Sequence, residues 1–405
     1  MRICVISPFS IVDKNNWGGI TTHTEMLCRL LVKMGHSVTL ITSGEAGELT
    51  EESAMAVRVI HLPLQWRNVP AKEWLSSAAR VFFEKQNDEP FDCLFSEGNS
   101  ACELIRRYGD PGLPLFCFIH VPSFMHFHNN WQEVDSPKAF LSYLLKTVPA
   151  IIHRILFWEK PLARAAAKVI SVSQLKVGQI RRFYGLKENN VLAVNNWVDT
   201  RLFSPEASLK TAGRRQYGIA EDAVVFLAIS GILWRPKGFH LAVEGLSRIS
   251  ARVKNSILLF SGGDGPEKEN LIRLINKKGL AERVRFTGAI EHSKLPMLYN
   301  TADIFLIPSL MSEGQAYTLL EAMSCGLAPV ASRLGGNIES VGDCGLFFPH
   351  GNSRKLAKAM LELAVNIPKR RECSLMSRER CVQLFSEEIA REKISGLLGG
   401  LGKWA

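Results

Sequence analysis

Two glutamates separated by seven residues, Glu313 and Glu321, are the strongest chemical signal in the sequence. They follow an apolar stretch that ends at Pro308, and they lie at the start of a helix-compatible segment that continues through Cys325. The pair therefore brackets a predicted helix N-terminus, whose free amides suit a phosphate while the carboxylates can accept hydrogen bonds from sugar hydroxyls. The alternative interpretation is that Glu313 is an acidic residue that merely favours the first helical turn and that Glu321 is a solvated helix side chain.

Two glycine-containing turns after other predicted strands could hold an anion. The first, at 261–266, follows an apolar stretch, so its backbone can approach a phosphate closely. The second, at 231–238, contains Arg235 and Lys237, and a guanidinium and an ammonium are the usual partners of a pyrophosphate. The alternative for 261–266 is a tight structural turn without a ligand. The alternative for Arg235 and Lys237 is that both are solvated loop cations.

Three candidate residues lie in the first half of the chain. Gly18 and Gly19 lie between the first predicted strand and a helix, where they could face a ligand. His120 ends the apolar strand that begins at Leu115, and the end of a strand is a usual place for polar chemistry. A structural histidine is the alternative.

Strands alternate with helices throughout, which predicts an α/β protein with parallel sheets covered by helices on both faces. The stretch 195–218 has no sustained period, so we predict two doubly wound, Rossmann-like domains, 1–203 and 204–384, that face a cleft. The tail at 385–405 is predicted to form a last amphipathic helix. The predicted strands are 2–7, 37–42, 57–61, 92–96, 115–120, 168–172 and 191–194 in the first domain, and 223–230, 256–261, 283–286, 303–308 and 328–331 in the second.

The composition is that of a globular chain: 405 residues, 46% hydrophobic and 22% charged, which excludes a disordered or fibrous protein. The formal net charge of +10 is too modest for a dedicated nucleic-acid binder but favours anionic ligands or an anionic membrane surface. Nine cysteines without metal-ligand spacing indicate free thiols in a reducing cytosol. Without an export leader or a run of about 18 uncharged apolar residues, we expect a cytoplasmic protein with no membrane span.

Basic charge is concentrated at 138–187, which holds ten lysine and arginine residues and one acidic residue, Glu159. Lys146 and Arg154 interrupt its apolar faces. Such a basic amphipathic segment can lie on an anionic bilayer, which would suit an acceptor carried on a lipid. The alternative is a core-facing helix pair, split at Pro149, with a solvated basic face.

Taken together, these motifs resemble those of retaining glycosyltransferases of the GT-B fold, family 4 (group 1) type. The resemblance implies transfer of a hexose from a nucleotide-diphosphate sugar to a saccharide or lipid-linked acceptor, in the synthesis of cell-envelope polysaccharide or glycoconjugates. It also implies a terminal helix that packs back on the first domain. The motifs cover nearly the whole chain in the family's order: 18–42, 171–173, 195–205, 231–238 (GILWRPKG), 261–266 (SGGDGP), 285–288, the E-x7-E at 313–321, and 335–340 (GGNIES).

The resemblance further implies roles for particular residues. Glu321 would bind the ribose hydroxyls of the nucleotide, Glu313 would contact the transferred sugar, and Lys237 would neutralise the departing diphosphate. His120 would lie near the sugar and the reacting hydroxyl, which makes His120, Glu313 and Lys237 the implied catalytic residues. The implied donor-binding residues are Gly18, Gly19, Arg235, Gly263, Ile290, Gly314, Gln315, Ala316, Tyr317 and Glu321.

Two positions depart from the family's pattern. Ile232 stands where the family commonly has arginine, and we hypothesise that Arg235 replaces the missing diphosphate cation. Ala316 stands where many members have glycine, and alanine can supply the same amide if its φ is negative. No D-x-D, the motif with which many transferases hold a metal, occurs in the sequence, so we expect metal-independent transfer without a cofactor.

Two other functions compete with this interpretation. Ile232 motivates a catalytically inactive GT-B subunit that binds a nucleotide or a protein. The glycine-rich turn at 262–265 motivates an NAD-dependent dehydrogenase, but this turn lacks the G-x-G-x-x-G spacing of a dinucleotide site. We expect no nucleic-acid partner.

Overall fold

The computed structural model describes residues 1–12, 18–44, 48–65, 71–131 and 136–400. Its contacts divide the chain into two compact units, each of which is described by itself. The first unit is Met1–Asn196 together with Ala390–Ala405, and the second unit is Trp197–Ile389.

The boundary between the units follows Asn196, whereas the sequence pattern places it near residue 203. The physical reason is packing, because Val198 and Phe203 belong to a hydrophobic core of the second unit. The Val198 N–H also donates to the Phe385 carbonyl at 2.8 Å, which ties the start of this unit to the end of the helix Ile367–Phe385. Within the first unit, the Lys393 ammonium donates to the Asn195 side-chain oxygen at 3.3 Å.

The described part of the first unit contains a sheet in the order β3-β4-β2-β1-β5-β6-β7-β8. Every neighbouring pair is parallel except β3 with β4, so the predicted α/β class is confirmed here. The strands are β1 Arg2–Ile6, β2 Ser37–Ser43, β3 Thr50–Ala54, β4 Val57–Leu62, β5 Cys93–Glu97, β6 Leu115–Ile119, β7 Lys168–Ser171 and β8 Val191–Ala193.

Strand β3 is not predicted by the sequence pattern, because its residues are polar or small and mostly exposed. It joins β4 through a turn at Met55 and Ala56, whose φ values are +55° and +60°. Two consecutive residues with positive φ form the turn that matches the twist of an antiparallel hairpin. Turn geometry, rather than a hydrophobic period, therefore places this strand at the sheet edge.

The second unit contains an all-parallel sheet in the order β11-β10-β9-β12-β13-β14, which confirms the predicted Rossmann-like architecture. Strand β14 is only three residues long, too short for its period to be recognised. The strands are β9 Val224–Ile232, β10 Ser256–Gly263, β11 Val284–Gly288, β12 Ile304–Ile307, β13 Ala328–Ser332 and β14 Leu346–Phe348.

Both faces of this second sheet are buried, as expected for parallel strands covered by helices. Alternate residues of β9 show this directly. Phe226 and Ala228 belong to one hydrophobic cluster, whereas Val225 and Leu227 belong to another. Because successive side chains of a strand point to opposite faces, the two clusters lie on opposite sides of the sheet.

The helices fill the connections between strands. In the first unit they are Gly19–Lys33, Ala71–Asp88, Cys102–Tyr108, His126–Trp131, Pro137–Ala165 and Gln174–Tyr184. In the second unit they are Ala207–Gln216, Phe239–Ile249, Lys268–Lys277, Leu295–Thr301, Tyr317–Ser324, Gly336–Val341, Ser353–Val365 and Ile367–Phe385. The last helix, Glu387–Gly399, begins in the second unit and continues into the returning tail of the first.

The basic segment forms one long helix, Pro137–Ala165, that runs through Pro149 without a break. The alternative of a helix pair split at this proline is therefore wrong. The reason is that π-helical turns at Tyr143–Thr147 and Ile155–Glu159 directly precede the α-helical segments that contain Pro149 and Pro161. These wider turns accommodate residues without an N–H inside the helix.

This helix is also long and apolar enough to cross a membrane, judged by length and composition alone. It has 29 residues and a mean hydropathy of 1.3 over its most apolar stretch, of which only 11% is buried, and it is alone in this respect among the described residues. The sequence of this helix contains no uncharged apolar run of about 18 residues, because Lys146 and Arg154 lie among the apolar residues.

Candidate functional site

Lys237 and Glu313 meet in the second unit, although 76 residues separate them in the chain. They follow β9 and β12, which are neighbours in the sheet. The Lys237 Nζ donates to Glu313 Oε2 at 3.0 Å, and the Ser309 hydroxyl donates to the other carboxylate oxygen. The side chains are 28% and 15% exposed, respectively, so solvent or a ligand can reach both.

The loop that carries Lys237 is held against the segment that follows β12. Gly238 has a φ of +74°, and a Cβ on it would lie 2.0 Å from the Pro308 carbonyl oxygen, so only glycine fits there. The Leu310 N–H donates to the Pro236 carbonyl at 2.8 Å. These contacts hold the loop in the position that brings Lys237 of the Lys237–Gly238 pair next to Glu313.

A second backbone contact supports the loop around Glu313. The Gly336 N–H donates to the Glu313 carbonyl at 3.1 Å. A Cβ on Gly336 would lie 1.6 Å from the Gly314 carbonyl oxygen, so the two loops pack backbone against backbone. The glycine pair at 335–336 is part of the family pattern in the sequence, but its support of Glu313 becomes visible only in the fold.

The predicted helix after Glu313 begins at Tyr317 and ends at Ser324. Its N-cap, Ala316, has a φ of −81° and makes no side-chain capping bond. That backbone conformation is open to any L residue, so alanine fits where many family members have glycine. Gln315 is buried just before the helix, and Gly314 lies in the loop that packs against Gly336.

Glu321 is a buried carboxylate on this helix. Tyr299 donates its hydroxyl hydrogen to Oε2 at 2.6 Å, and His292 Nε2 lies 3.0 Å from Oε1. Burial and the nearby Glu321 charge raise the pKa of Tyr299, so its hydroxyl stays a donor. A carboxylate has about four acceptor positions, and these two bonds occupy two of them. Neither Tyr299 nor His292 carries a motif signal in the sequence.

The glycine-rich turn lies beside the exit of β9. Gly263 pairs with Ile232 in the sheet, and its carbonyl accepts the Leu233 N–H at 3.1 Å. The Ile232 side chain is 51% exposed. Arg235 is 65% exposed and lies 3.7 Å from the Glu267 carboxylate, so it reaches solvent but already has an acidic partner.

The remaining predicted donor residues occupy two other places. Ile290 follows β11 and is half-buried against a core cluster of the second unit. Gly18 and Gly19 lie in the first unit, where they are exposed at the N-terminus of the helix Gly19–Lys33. No described residue lies within 4 Å of a Cβ built on either glycine, so the packing of the described residues does not require glycine at these positions.

His120 belongs to a cluster in the first unit that sequence reasoning did not find. Its Nε2 lies 2.6 Å from Glu97 Oε2, and His23 Nδ1 lies 2.7 Å from Glu97 Oε1. Glu97 ends β5, His120 follows the neighbouring strand β6, and His23 lies on the helix after β1. The Glu97 and His23 side chains are fully buried, whereas that of His120 is 12% exposed.

Burial and hydrogen bonding have opposite effects on the titration of this cluster. Burial lowers the pKa of His23, which keeps its ring neutral. Burial would raise the pKa of Glu97, but the two histidines outweigh it and lower the pKa to about 2, so the group is a carboxylate. Among the described residues only these three place possible metal-ligand atoms within 4.8 Å of one another. Both carboxylate oxygens already have histidine partners.

Two family models cover most of the chain. Residues 18–197 match the model described as "Glycosyl transferase 4-like domain", and residues 210–380 match "Glycosyl transferases group 1". The chain is 31% identical over 357 residues to D-inositol 3-phosphate glycosyltransferase 2 of Catenulispora acidiphila, a match that covers 83% of this chain and 79% of that protein.

Two further proteins are similar over most of their length. A phosphatidylinositol N-acetylglucosaminyltransferase subunit of Arabidopsis thaliana is 26% identical over 351 residues, which cover 85% of this chain and 70% of that protein. The structure of sucrose-phosphate synthase from Thermosynechococcus elongatus superposes with a TM-score of 0.81 at 21% identity, covering 100% of both chains. This structural likeness confirms the predicted GT-B fold.

Proposed function

The chain belongs to the glycosyl transferases group 1 family, and we propose that it is a retaining enzyme that transfers a hexose from a nucleotide-diphosphate sugar. The observation that carries this proposal is the meeting of Lys237 and Glu313 at neighbouring strand ends, directly before the helix that holds Glu321. The ligands of parallel α/β sheets bind at this edge. A cation, a pair of carboxylates and a helix N-terminus suit a sugar diphosphate.

We infer the following division of roles. Cleavage of the glycosyl–phosphate bond leaves negative charge on the diphosphate, which must be neutralised as it develops. Lys237 has three N–H donors, and Glu313 uses one, so two remain for phosphate oxygens. Glu321 has acceptor positions left for ribose hydroxyls beside its bonds to Tyr299 and His292. Lys237 and the helix amides supply the positive charge, so we propose transfer without a metal or other cofactor.

Retention of anomeric configuration is part of the proposal and follows from the family resemblance. Hydrolases that retain configuration by double displacement use two carboxylates about 5–5.5 Å apart across the bond. Here Glu321 is buried against Tyr299 and His292, which commits it to a binding role. We therefore propose that the acceptor hydroxyl attacks from the face that the diphosphate leaves.

The acceptor we propose is a saccharide or a lipid-linked molecule, with the protein cytoplasmic and peripheral on the inner face of a membrane. The names of two relatives support a phosphorylated or lipid acceptor. One is a D-inositol 3-phosphate glycosyltransferase, and the other is a subunit of a phosphatidylinositol N-acetylglucosaminyltransferase. The surface of the long helix Pro137–Ala165 supports the proposed binding to a membrane. Its exposed apolar side chains are Phe140 (43%), Leu141 (57%), Leu144 (44%), Leu145 (67%), Ile152 (43%), Leu156 (50%) and Phe157 (55%).

Charge complementarity favours an anionic bilayer as the partner of this helix. Lys138, Lys146 and Arg154 are exposed among the apolar residues. The one acidic residue of the helix, Glu159, is buried, and there it accepts hydrogen bonds from the Tyr184 hydroxyl and the Ser123 N–H. Apolar side chains with interspersed cations and no exposed carboxylate match the interface of a membrane that contains anionic lipids.

Vesicle sedimentation tests the membrane part. The wild type should pellet with vesicles that contain phosphatidylglycerol and much less with pure phosphatidylcholine. Leu145→Glu combined with Phe157→Glu should lower partitioning at least about 100-fold, because each buried side chain contributes about 1.5–3 kcal/mol. Leu375→Glu is the matched control, since Leu375 is 72% exposed but lies in the second unit. Equal binding of all three proteins would contradict the assignment, and resistance to alkaline extraction would indicate a spanning helix instead.

A donor panel tests the transferase part. Thermal unfolding is measured with UDP-, GDP-, ADP- and dTDP-sugars in EDTA, for the wild type and Glu321→Ala. A ligand at 100 times its Kd stabilises by about 2.7 kcal/mol, which gives a clear shift in Tm. One donor should stabilise the wild type and not the variant, and NMR of the product should show the anomeric configuration of the donor. An inverted product would overturn retention, and loss of activity in EDTA would overturn metal independence.

The exposed Ile232 favours a second candidate, an inactive subunit that binds a nucleotide or a protein. Arg235, the residue that would replace the missing arginine, is 3.7 Å from Glu267 and therefore partly neutralised. Stabilisation by a nucleotide without turnover of any nucleotide sugar would support this candidate. Turnover with any donor would exclude it.

A further inference from the structure

We propose that Glu97 is a positioning residue that acts through His120, and that His23 holds Glu97 in place. This inference rests on the transferase function proposed above and adds two residues to it. The carboxylate of Glu97 lies between the two histidines, with contacts of 2.7 Å to His23 and 2.6 Å to His120.

The chemistry of the three groups decides which nitrogen carries each proton. A carboxylate can only accept hydrogen bonds, so both nitrogens that face it must carry hydrogen. His23 therefore donates from Nδ1, and His120 donates from Nε2. A neutral His120 in this tautomer has its lone pair on Nδ1. Glu97 thus selects Nδ1 of His120 as the atom that can accept a hydrogen bond from a hydroxyl.

Accessibility separates the roles of the three residues. His23 and Glu97 are fully buried, so neither can touch a substrate without rearrangement. The His120 side chain is 12% exposed and is the member of the cluster that a ligand can reach. The buried pair therefore acts through His120, as a base and the group that orients it are arranged in other enzymes.

The fold holds the cluster in one geometry. Glu97 pairs with Phe118 across β5 and β6, so Glu97 and His120 come from adjacent strand ends. The His23 ring packs edge to face on Phe118 at 4.5 Å and on His120 at 4.6 Å between centroids. Strand ends and a packed helix are rigid supports, which is what a residue that fixes a tautomer needs.

Glu97→Gln distinguishes positioning from simple packing, because it keeps the shape of the side chain. An amide could face the two histidines in either orientation. We expect its oxygen to accept from the fully buried His23 and its NH2 group to face His120, because of these two rings it is His120, 12% exposed, that can present a moved proton to solvent. His120 must move its proton to Nδ1, which converts the outward nitrogen from an acceptor into a donor. We expect kcat to fall at least about tenfold with the donor KM within about twofold, since the hydrogen bond by which His120 orients a reacting hydroxyl affects the chemical step.

A matched control and a conservative variant accompany this test. Glu103 is also a buried glutamate of the first unit, with 1% side-chain exposure, but its partners are Arg106 and Arg107. Glu103→Gln should cost stability and leave kcat unchanged. His23→Asn keeps an N–H donor near the position of Nδ1 and should retain kcat within about threefold, whereas His23→Leu removes the donor and should lower kcat.

A spectroscopic readout tests the proposal independently of activity. The ring nitrogens of 15N-histidine-labelled protein report the tautomer. His120 should be protonated at Nε2 in the wild type and at Nδ1 in Glu97→Gln. An unchanged tautomer, or a kcat loss equal to that of Glu103→Gln, would overturn the proposal. If the wild type turns over no donor, the proposed function fails, but the tautomer measurement still decides the role of Glu97.

Discussion

Replacement of Lys237 by alanine should separate catalysis from stability. Lys237 and Glu313 form an ion pair at 3.0 Å in which the side chains are 28% and 15% exposed. A pair this close to solvent contributes about 0–1 kcal/mol to stability, and Glu313 keeps its bond from Ser309 when the lysine is removed. We therefore expect the free energy of unfolding to fall by no more than about 1 kcal/mol.

The effect on the rate should be much larger than the effect on stability. In the proposed mechanism Lys237 neutralises charge that develops only as the diphosphate departs, and the loss of one such donor costs about 2.7–4 kcal/mol of transition-state stabilisation, or about 10²–10³ in kcat. Lys237→Arg should recover part of the rate, because a guanidinium restores the charge with a different shape.

Initial rates at varied donor concentration give kcat and KM separately, and urea unfolding gives the stability. Lys369→Ala is the control, since Lys369 forms a similar surface pair with Glu372 at 2.9 Å near the start of the helix Ile367–Phe385 in the same unit. The reasoning is refuted if Lys237→Ala raises KM with kcat unchanged, because this would mean that the lysine binds the ground state and the transition state equally.

Three further predictions follow from the geometry. Glu321→Gln should weaken nucleotide binding about 10–100-fold in calorimetry, because bonds from ribose hydroxyls to a charged acceptor contribute about 1.5–3 kcal/mol, and unchanged affinity would remove the ribose role. Ile232→Arg should lower the donor KM about tenfold at little cost in stability, since the site is 51% exposed, and a higher KM would contradict the interpretation that a cation is missing there. The first unit should lose stability in acid. Because the pKa of Glu97 is about 2 in the folded protein and 4.5 ordinarily, its ionisation stabilises the folded state fully above pH 4.5, and this contribution disappears as the pH falls towards 2. His23 acts in the same direction below its usual pKa of 6.5, because the unfolded chain binds the proton more readily. Urea midpoints that rise as the pH falls from 6.5 to 4.5 would contradict the assignment of His23, and midpoints that rise as it falls from 4.5 towards 2 would contradict that of Glu97.

The sequence by itself determined the fold class and the local parts of the site. Alternation of short apolar strands with amphipathic helices is a local pattern, so it predicts most strands within one or two residues of their observed bounds. The E-x7-E motif indicates the helix that begins at Tyr317, because both glutamates lie close to it in the chain. Strand β3, the continuous helix Pro137–Ala165 and the start of the second unit at Trp197 depend on turn geometry, π-helical turns and core packing. None of these produces a hydrophobic period.

Only the tertiary structure decided which side chains meet. Lys237 reaches Glu313 because β9 and β12 are neighbours in the sheet although two strands separate them in the chain. Glu97 reaches both His23 and His120 because β5 and β6 pair beside the helix after β1. A local pattern specifies the face of a strand or helix, whereas a contact between distant residues depends on strand order and on close packing across the sheet.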